Sequence, residues 1–121
     1  MMQAIGFYEQ ALVIAKETGD CRGEGSALNN LGIAWATLGA TENAVNFYDQ
    51  ALTIIRETGD RRAEGSALNN LALVLYSTNC HARAIKQAEH ALSIFQAIDS
   101  PNAEMVRQTL AQWRALASKT E

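Results

Sequence analysis

From Asn43 to Glu57 the apolar residues Ala44, Val45, Phe47, Tyr48, Ala51, Leu52 and Ile55 recur at spacings of three and four. That rhythm lays them along one stripe of a helix and leaves the polar side chains on the other. Gly59 then supplies a residue able to adopt the left-handed conformation that ends a helix, and Asp60 offers an oxygen to the first free amides of the next. The following helix runs from about Arg61 to Ser77, with Leu68, Leu71 and Leu75 facing the core. The same reading predicts helices at about 2–18, 22–38, 81–98 and 101–118. In the last, Ser100 is the N-cap and Pro101 takes the first helical position, where its missing N–H costs nothing. No alternating stretch of strand length lies between turn residues. The expectation is therefore all-α: about six antiparallel helices joined by short loops.

The helices repeat. Ile5–Ala44 written above Val45–Ala84 gives 20 identities in 40 positions, including Glu17–Asp20 with Glu57–Asp60 and Glu24–Leu31 with Glu64–Leu71. A third copy starts at Ile85, keeps Glu89, Ala91, Leu92, Ile94 and Glu104, and then decays. Residues 1–121 are expected to form one domain of units 5–44, 45–84 and a partial 85–121. Each unit is a helix pair that cannot bury its apolar side alone, so stacking neighbours stabilises it and one surface stays free for a ligand.

Composition narrows the function. Hydrophobic residues make up 48% of the chain and charged residues 19%, a balance that excludes disorder. The net charge of -3 supplies no global basic field, so neither nucleic acid nor a membrane surface is expected as a partner. Residues 1–60 carry eight acids and three bases and residues 61–121 five acids and seven bases, leaving the halves at -5 and +2. Cys21 and Cys80 lie far apart with no metal-ligand spacing around them, and no secretion-like segment opens the chain, which implies free thiols in the cytoplasm. His81 and His90 are nine residues apart, roughly 13 Å along a helix and too far to share a metal. No nucleophile with a base, paired carboxylate or phosphate loop stands out. No catalysis, metal or cofactor is expected.

The residues also carry a family likeness. Leu28-x2-Leu31-Gly32-x2-Trp35 is followed by Ala44-x3-Tyr48-x2-Ala51, and Leu68-x2-Leu71-Ala72-x2-Leu75 by Ala84-x3-Ala88-x2-Ala91. This pattern resembles the tetratricopeptide repeat. The 40-residue period and the Asn-Asn-Leu of each first helix are similar to the long repeats of kinesin light chains and Pins-type spindle regulators, with similar repeats in bacterial signalling proteins. The resemblance implies an α-solenoid, a right-handed superhelix in which each repeat has a first helix (A) and a second helix (B). Residues 2–18 match a B helix, so the order here is B, A-B, A-B, A.

On the helix at 22–38, Leu28, Leu31, Trp35 and Leu38 form the core stripe, while Arg22, Ser26, Asn29, Ile33 and Thr37 lie opposite with Asn30 at the edge. The next A helix repeats this with Arg62, Ser66, Asn69, Leu73 and Ser77, with Asn70 at the edge and Tyr76 beside it. The last offers Val106, Thr109, Trp113 and Ala117, with Trp113 open between core and contact. The resemblance implies that A helices line a concave groove and that Asn30 and Asn70 clamp a peptide backbone, amides being both donors and acceptors. Ile33, Leu73, Tyr76 and Trp113 would form apolar pockets, and Arg22 and Arg62 would meet acidic side chains. Two readings of the Asn pairs stand at this point: a peptide clamp, or a bridge between helices. The expected function is a protein-binding adaptor holding an extended or helical peptide. The alternatives are a self-associating structural module, a homo-oligomer through Ile5, Tyr8 and Leu12 of the first helix, or a regulatory segment of a larger signalling protein.

Overall fold

The computed structural model describes residues 2–120, with side chains to residue 118. Six helices follow one another: α1 (Met2–Thr18), α2 (Cys21–Thr37), α3 (Thr41–Thr58), α4 (Arg61–Ser77), α5 (His81–Ala97) and α6 (Asn102–Thr120). All lie within a few residues of their expected ranges. Each packs on its neighbours in chain order, most extensively α2 on α3 and α4 on α5, the two A-B pairs. A further contact, between α2 and α4, joins the A helices of successive repeats. The architecture is an all-α solenoid.

Turn chemistry recurs every 20 residues. Gly19, Gly39, Gly59, Asn79 and Asp99 all have positive φ, so each of the first five helices is followed by a left-handed residue that reverses the chain. Where glycine is lost at 79 and 99, Asn and Asp stand in, the residues that best tolerate this conformation. Asp20 and Asp60 then accept hydrogen bonds from the amides of Gly23 and Ala63 at 2.9 and 3.1 Å, capping α2 and α4. α6 begins at Asn102, one residue beyond Pro101, and its amide donates to Ser100 Oγ at 3.2 Å.

The A-B pairs are held at close range by small residues. A Cβ on Gly32 would stand 2.5 Å from the Tyr48 ring, one on Gly25 2.9 Å from Ile55, and one on Gly65 2.7 Å from Phe95. These glycines are holes into which B-helix side chains fit. Tyr48 and Phe95 are buried there, and burial pushes the Tyr48 phenol up to about 12. Glu64 is buried as well, held by Arg56 at 3.1 Å and Arg61 at 3.0 Å. Leu28 and Leu31 occupy the expected stripe of α2, whereas Trp35 is half-buried and Leu38, just past the helix end, is exposed rather than core.

The last A helix departs from the repeat register. Its buried side chains, Ala103, Val106, Leu110 and Trp113, are the repeat equivalents of Ala63, Ser66, Asn70 and Leu73, none of which is fully buried in α4. Conversely, the equivalents of the buried Leu68, Leu71 and Leu75 are Gln108, Ala111 and Ala115, all exposed. α6 thus turns toward the body the side that the repeat phase assigns to the groove. Apolar residues at spacings of 3, 4 and 3 outweigh the repeat phase, because burying them removes more apolar surface from water.

A polar bridge joins the A helices. Asn70 Nδ2 of α4 donates to Asn29 Oδ1 of α2 at 3.5 Å, a long bond. One repeat later the equivalent of Asn70 is Leu110, which has no donor, and Asn69 Oδ1, the equivalent of Asn29 Oδ1, is buried without a hydrogen-bond partner. An unpaired buried oxygen costs about 1–3 kcal/mol.

Two stability predictions follow from these contacts. Gly65→Ala lowers stability by about 1–3 kcal/mol through overpacking against Phe95, while Gly6→Ala, in open space on exposed α1, raises it by up to about 1 kcal/mol through helix propensity. Urea denaturation measures both, and equal signs would contradict the packing described. Asn69→Leu, which replaces the unpaired oxygen by an apolar side chain of similar shape, raises stability by about 1 kcal/mol. Asn29→Leu, which breaks a bridge, gives no such gain, and thermal melts of the two variants decide it.

Candidate functional site

The surface that the two full repeats share runs along α2 and α4. Arg22 and Arg62 stand at the N-terminal ends of these helices, both exposed. Ser26 is exposed and Ser66 half-buried one turn further on, and Ile33 and Leu73 follow two turns later. Those two aliphatic side chains occupy equivalent positions, and they are 41% and 47% exposed, although burial would release water from them. Thr37 and Ser77, at the far end, turn their hydroxyls back onto the carbonyls of Ile33 and Val74 at 2.9 and 2.7 Å, so they satisfy their own helices.

A cleft of ≈ 160 Å³ opens between the N-terminal ends of α2 and α4, lined by Arg22, Ser26, Asn29, Ile55, Asp60 and Ala63 among others. It has room for one side chain and falls below the range of about 300–1,000 Å³ typical of small-molecule pockets. Arg22 pairs with Asp60 at 3.6 Å, a solvent-exposed contact of little strength. Arg62 has no ion-pair partner among the described residues. No Asp or Glu occupies a groove position of α2 or α4; Asp60 sits only at the mouth. The groove is therefore locally cationic on a chain of net charge -3.

The expected groove residues divide. Asn30 is half-buried with no side-chain hydrogen bond among the described residues, so its amide is available. Asn70 is engaged with Asn29, and Asn69 is buried. Trp113 is corrected from a groove pocket to core: it is 7% exposed and stacks on Tyr76 with ring centroids 4.3 Å apart. Tyr76 is covered on its other face by His81 at 4.2 Å, so neither face of its ring is open to a ligand. Val106 is likewise core. The His81–Tyr76–Trp113 stack was not anticipated from the repeat. Its sequence signal is the apolar spacing Ala103, Val106, Leu110, Trp113, which marks a core stripe and draws Trp113 inward.

Of the expected self-association residues on α1, Ile5 is corrected: it is 2% exposed and packs with Leu31 and Ala34, so it is not free to meet another chain. Leu12 is half-buried beside the core. Tyr8 is half-buried. Among the described residues no His, Cys, Asp or Glu side chains gather in a group able to hold a metal ion, and no helix is long and apolar enough to cross a membrane.

With this geometry in view, the comparisons with known proteins bear on the repeat. Models of the tetratricopeptide repeat match residues 1–57 and residues 65–98. Among curated proteins none matches. The chain is similar to the crystal structure of BtubC (BKLC) from P. vanneervenii, with a TM-score of 0.88 and 25% identity over 96% of this chain and 48% of that one. It therefore spans about half the length of that relative. Tetratricopeptide repeats are generally non-catalytic modules of protein interaction. The 40-residue helix pairs, the small-to-large packing within each pair and both matched segments agree, and the chain belongs to the tetratricopeptide repeat family.

Proposed function

We propose that the chain is an adaptor that holds a peptide segment of a partner protein along the face shared by α2 and α4. The observation that carries this reading is the pair of aliphatic side chains Ile33 and Leu73 at equivalent repeat positions, both exposed among the described residues. Two apolar anchors in a polar, cationic surface match the usual anatomy of an interface, with apolar contacts at its centre and polar groups around them. Arg62 and Arg22 suit acidic residues of the segment, the guanidinium fork fitting a carboxylate. Asn30 is the amide that suits the ligand backbone, since it is free to donate and accept. Asn70 serves the helix bridge first. The resulting ligand is an extended or helical segment that places apolar residues on Ile33 and Leu73 and an acidic residue toward Arg62.

A peptide array of acidic and apolar segments, followed by titration calorimetry of the tightest binder, tests this. Ile33→Asp with Leu73→Asp leaves thermal stability within about 0.5 kcal/mol, because both side chains are already solvent-exposed. The same pair of substitutions weakens binding by about 2 kcal/mol or more. Asn30→Ala weakens it by about 1–3 kcal/mol, while Asn70→Ala costs less. Affinity unchanged in the Ile33 and Leu73 variant would place the ligand elsewhere.

A further inference from the structure

Where α4 ends and α5 begins, three rings lie in one stack. Tyr76 is the middle one, with His81, the first residue of α5, 4.2 Å away on one face and Trp113 of α6 4.3 Å away on the other. The planes are nearly parallel, at 19° and 4° to that of Tyr76. One repeat earlier the equivalents of Tyr76 and His81 are Ala36 and Thr41, so the repeat pattern does not supply this stack.

A hollow of ≈ 130 Å³ adjoins all three rings, and Ile85, Leu116 and Ala117 line the rest of it. Both faces of Tyr76 are covered, so the hollow meets that ring at its edge. Because the planes are nearly parallel, a space that touches all three rings lies along the flank of the stack. Aromatic edges carry partial positive charge and attract the negative face of another ring. The other wall is aliphatic, and no Lys, Arg, Asp or Glu lines the hollow among the described residues. An apolar cavity of about 150 Å³ is enough to hold benzene. Here the exposed His81 and Leu116 stand at the rim, so a single ring fits with part of it reaching solvent.

A second observation specifies a polar group on the ligand. Trp113 is only 7% exposed, yet its indole N–H has no hydrogen-bond partner among the described residues. A buried indole N–H usually finds one, and it can only donate. The ligand therefore needs an acceptor. The His81 imidazole also lacks a hydrogen bond among the described residues, but it is exposed and water serves it.

We infer that the hollow is a binding site for a small neutral aromatic molecule: one ring, lying against the edges of the stack, with one oxygen that accepts a hydrogen bond from Trp113 Nε1. Phenol is the simplest member of that class. A carboxylate on the ring is disfavoured, because no cation in the hollow offsets the loss of its hydration. The site shares no residue with Arg22, Asn30, Ile33, Arg62 and Leu73, and the inference does not rest on the peptide-binding reading.

The full chain, labelled with nitrogen-15 and titrated with phenol, tests this by nuclear magnetic resonance. The indole N–H signal of Trp113, identified by its loss in Trp113→Phe, is expected to shift and to saturate at millimolar phenol, while that of Trp35 stays in place. Cyclohexanol, which has the oxygen but no aromatic face, should bind at least about twofold more weakly, and benzoate at least about tenfold more weakly. Ala117→Leu, which fills the hollow from an exposed helix position, should abolish the saturable shift and leave helix content by circular dichroism unchanged. A Trp113 signal that stays still, or moves without saturating, overturns the inference. So does phenol binding of unchanged affinity in Ala117→Leu, and equal affinity for cyclohexanol or benzoate overturns the class of ligand.

Discussion

The absence of a side chain at Gly32 lets the Tyr48 ring rest against the backbone of α2, and the rest of the molecule depends on that kind of approach. Gly25 receives Ile55, and Gly65 receives Phe95 in the next pair. Because an A helix with holes meets a B helix with knobs, the two come close enough to bury the ring and exclude water around it. This fixes the rotation of each A helix about its axis. Leu28 and Leu31 must then point inward, and Ile33 is carried to the outer side one turn on. The groove is a consequence of core packing: equivalent glycines in α2 and α4 put Ile33 and Leu73 on one face in the same orientation.

The same constraint bears on α6. Met105 stands where the previous repeat has Gly65, and α6 turns its own apolar stripe, Ala103, Val106, Leu110 and Trp113, toward the body. Trp113 comes inward with it and stacks on Tyr76. Glu104, Arg107, Gln108 and Gln112 stay outside, with ion pairs from Arg107 to Glu104 and from Arg114 to Glu89 across to α5. Loss of the Asn at position 110 belongs to the same change. Leu110 contributes to the core, and Asn69 is left with an unpaired oxygen. The Asn bridge between α2 and α4 is not repeated between α4 and α6.

Much of this was legible in the chain because it is local. Helix positions, the left-handed Gly59 and the Asp60 cap rest on contacts within a few residues, and the 40-residue identity makes two units check each other. Asn79 and Asp99 were harder to see, since the repeat has glycine in their place and only the 20-residue interval marks them. The groove was half legible. Arg22, Asn30, Ile33, Arg62 and Leu73 lie on the outer side because spacing within one helix decides it. Trp113 was marked by the apolar spacing of its own helix, whereas Asn70 and Tyr76 are determined by which helix stands beside theirs, a contact between residues 37 or more positions apart that no helical period encodes. Ile5 shows the same limit on α1, where its burial depends on Leu31 and Ala34 of the next helix.

The central claim is that the fit of a B-helix side chain into a missing A-helix side chain holds each repeat together. A double-mutant cycle of Gly32→Ala and Tyr48→Ala, read by urea denaturation, tests it most directly. Gly32→Ala is predicted to destabilise the wild type, and to cost nothing or to stabilise once the ring at 48 is gone, with a coupling of about 1–3 kcal/mol. Additive effects, with Gly32→Ala costing the same in both backgrounds, would contradict the account.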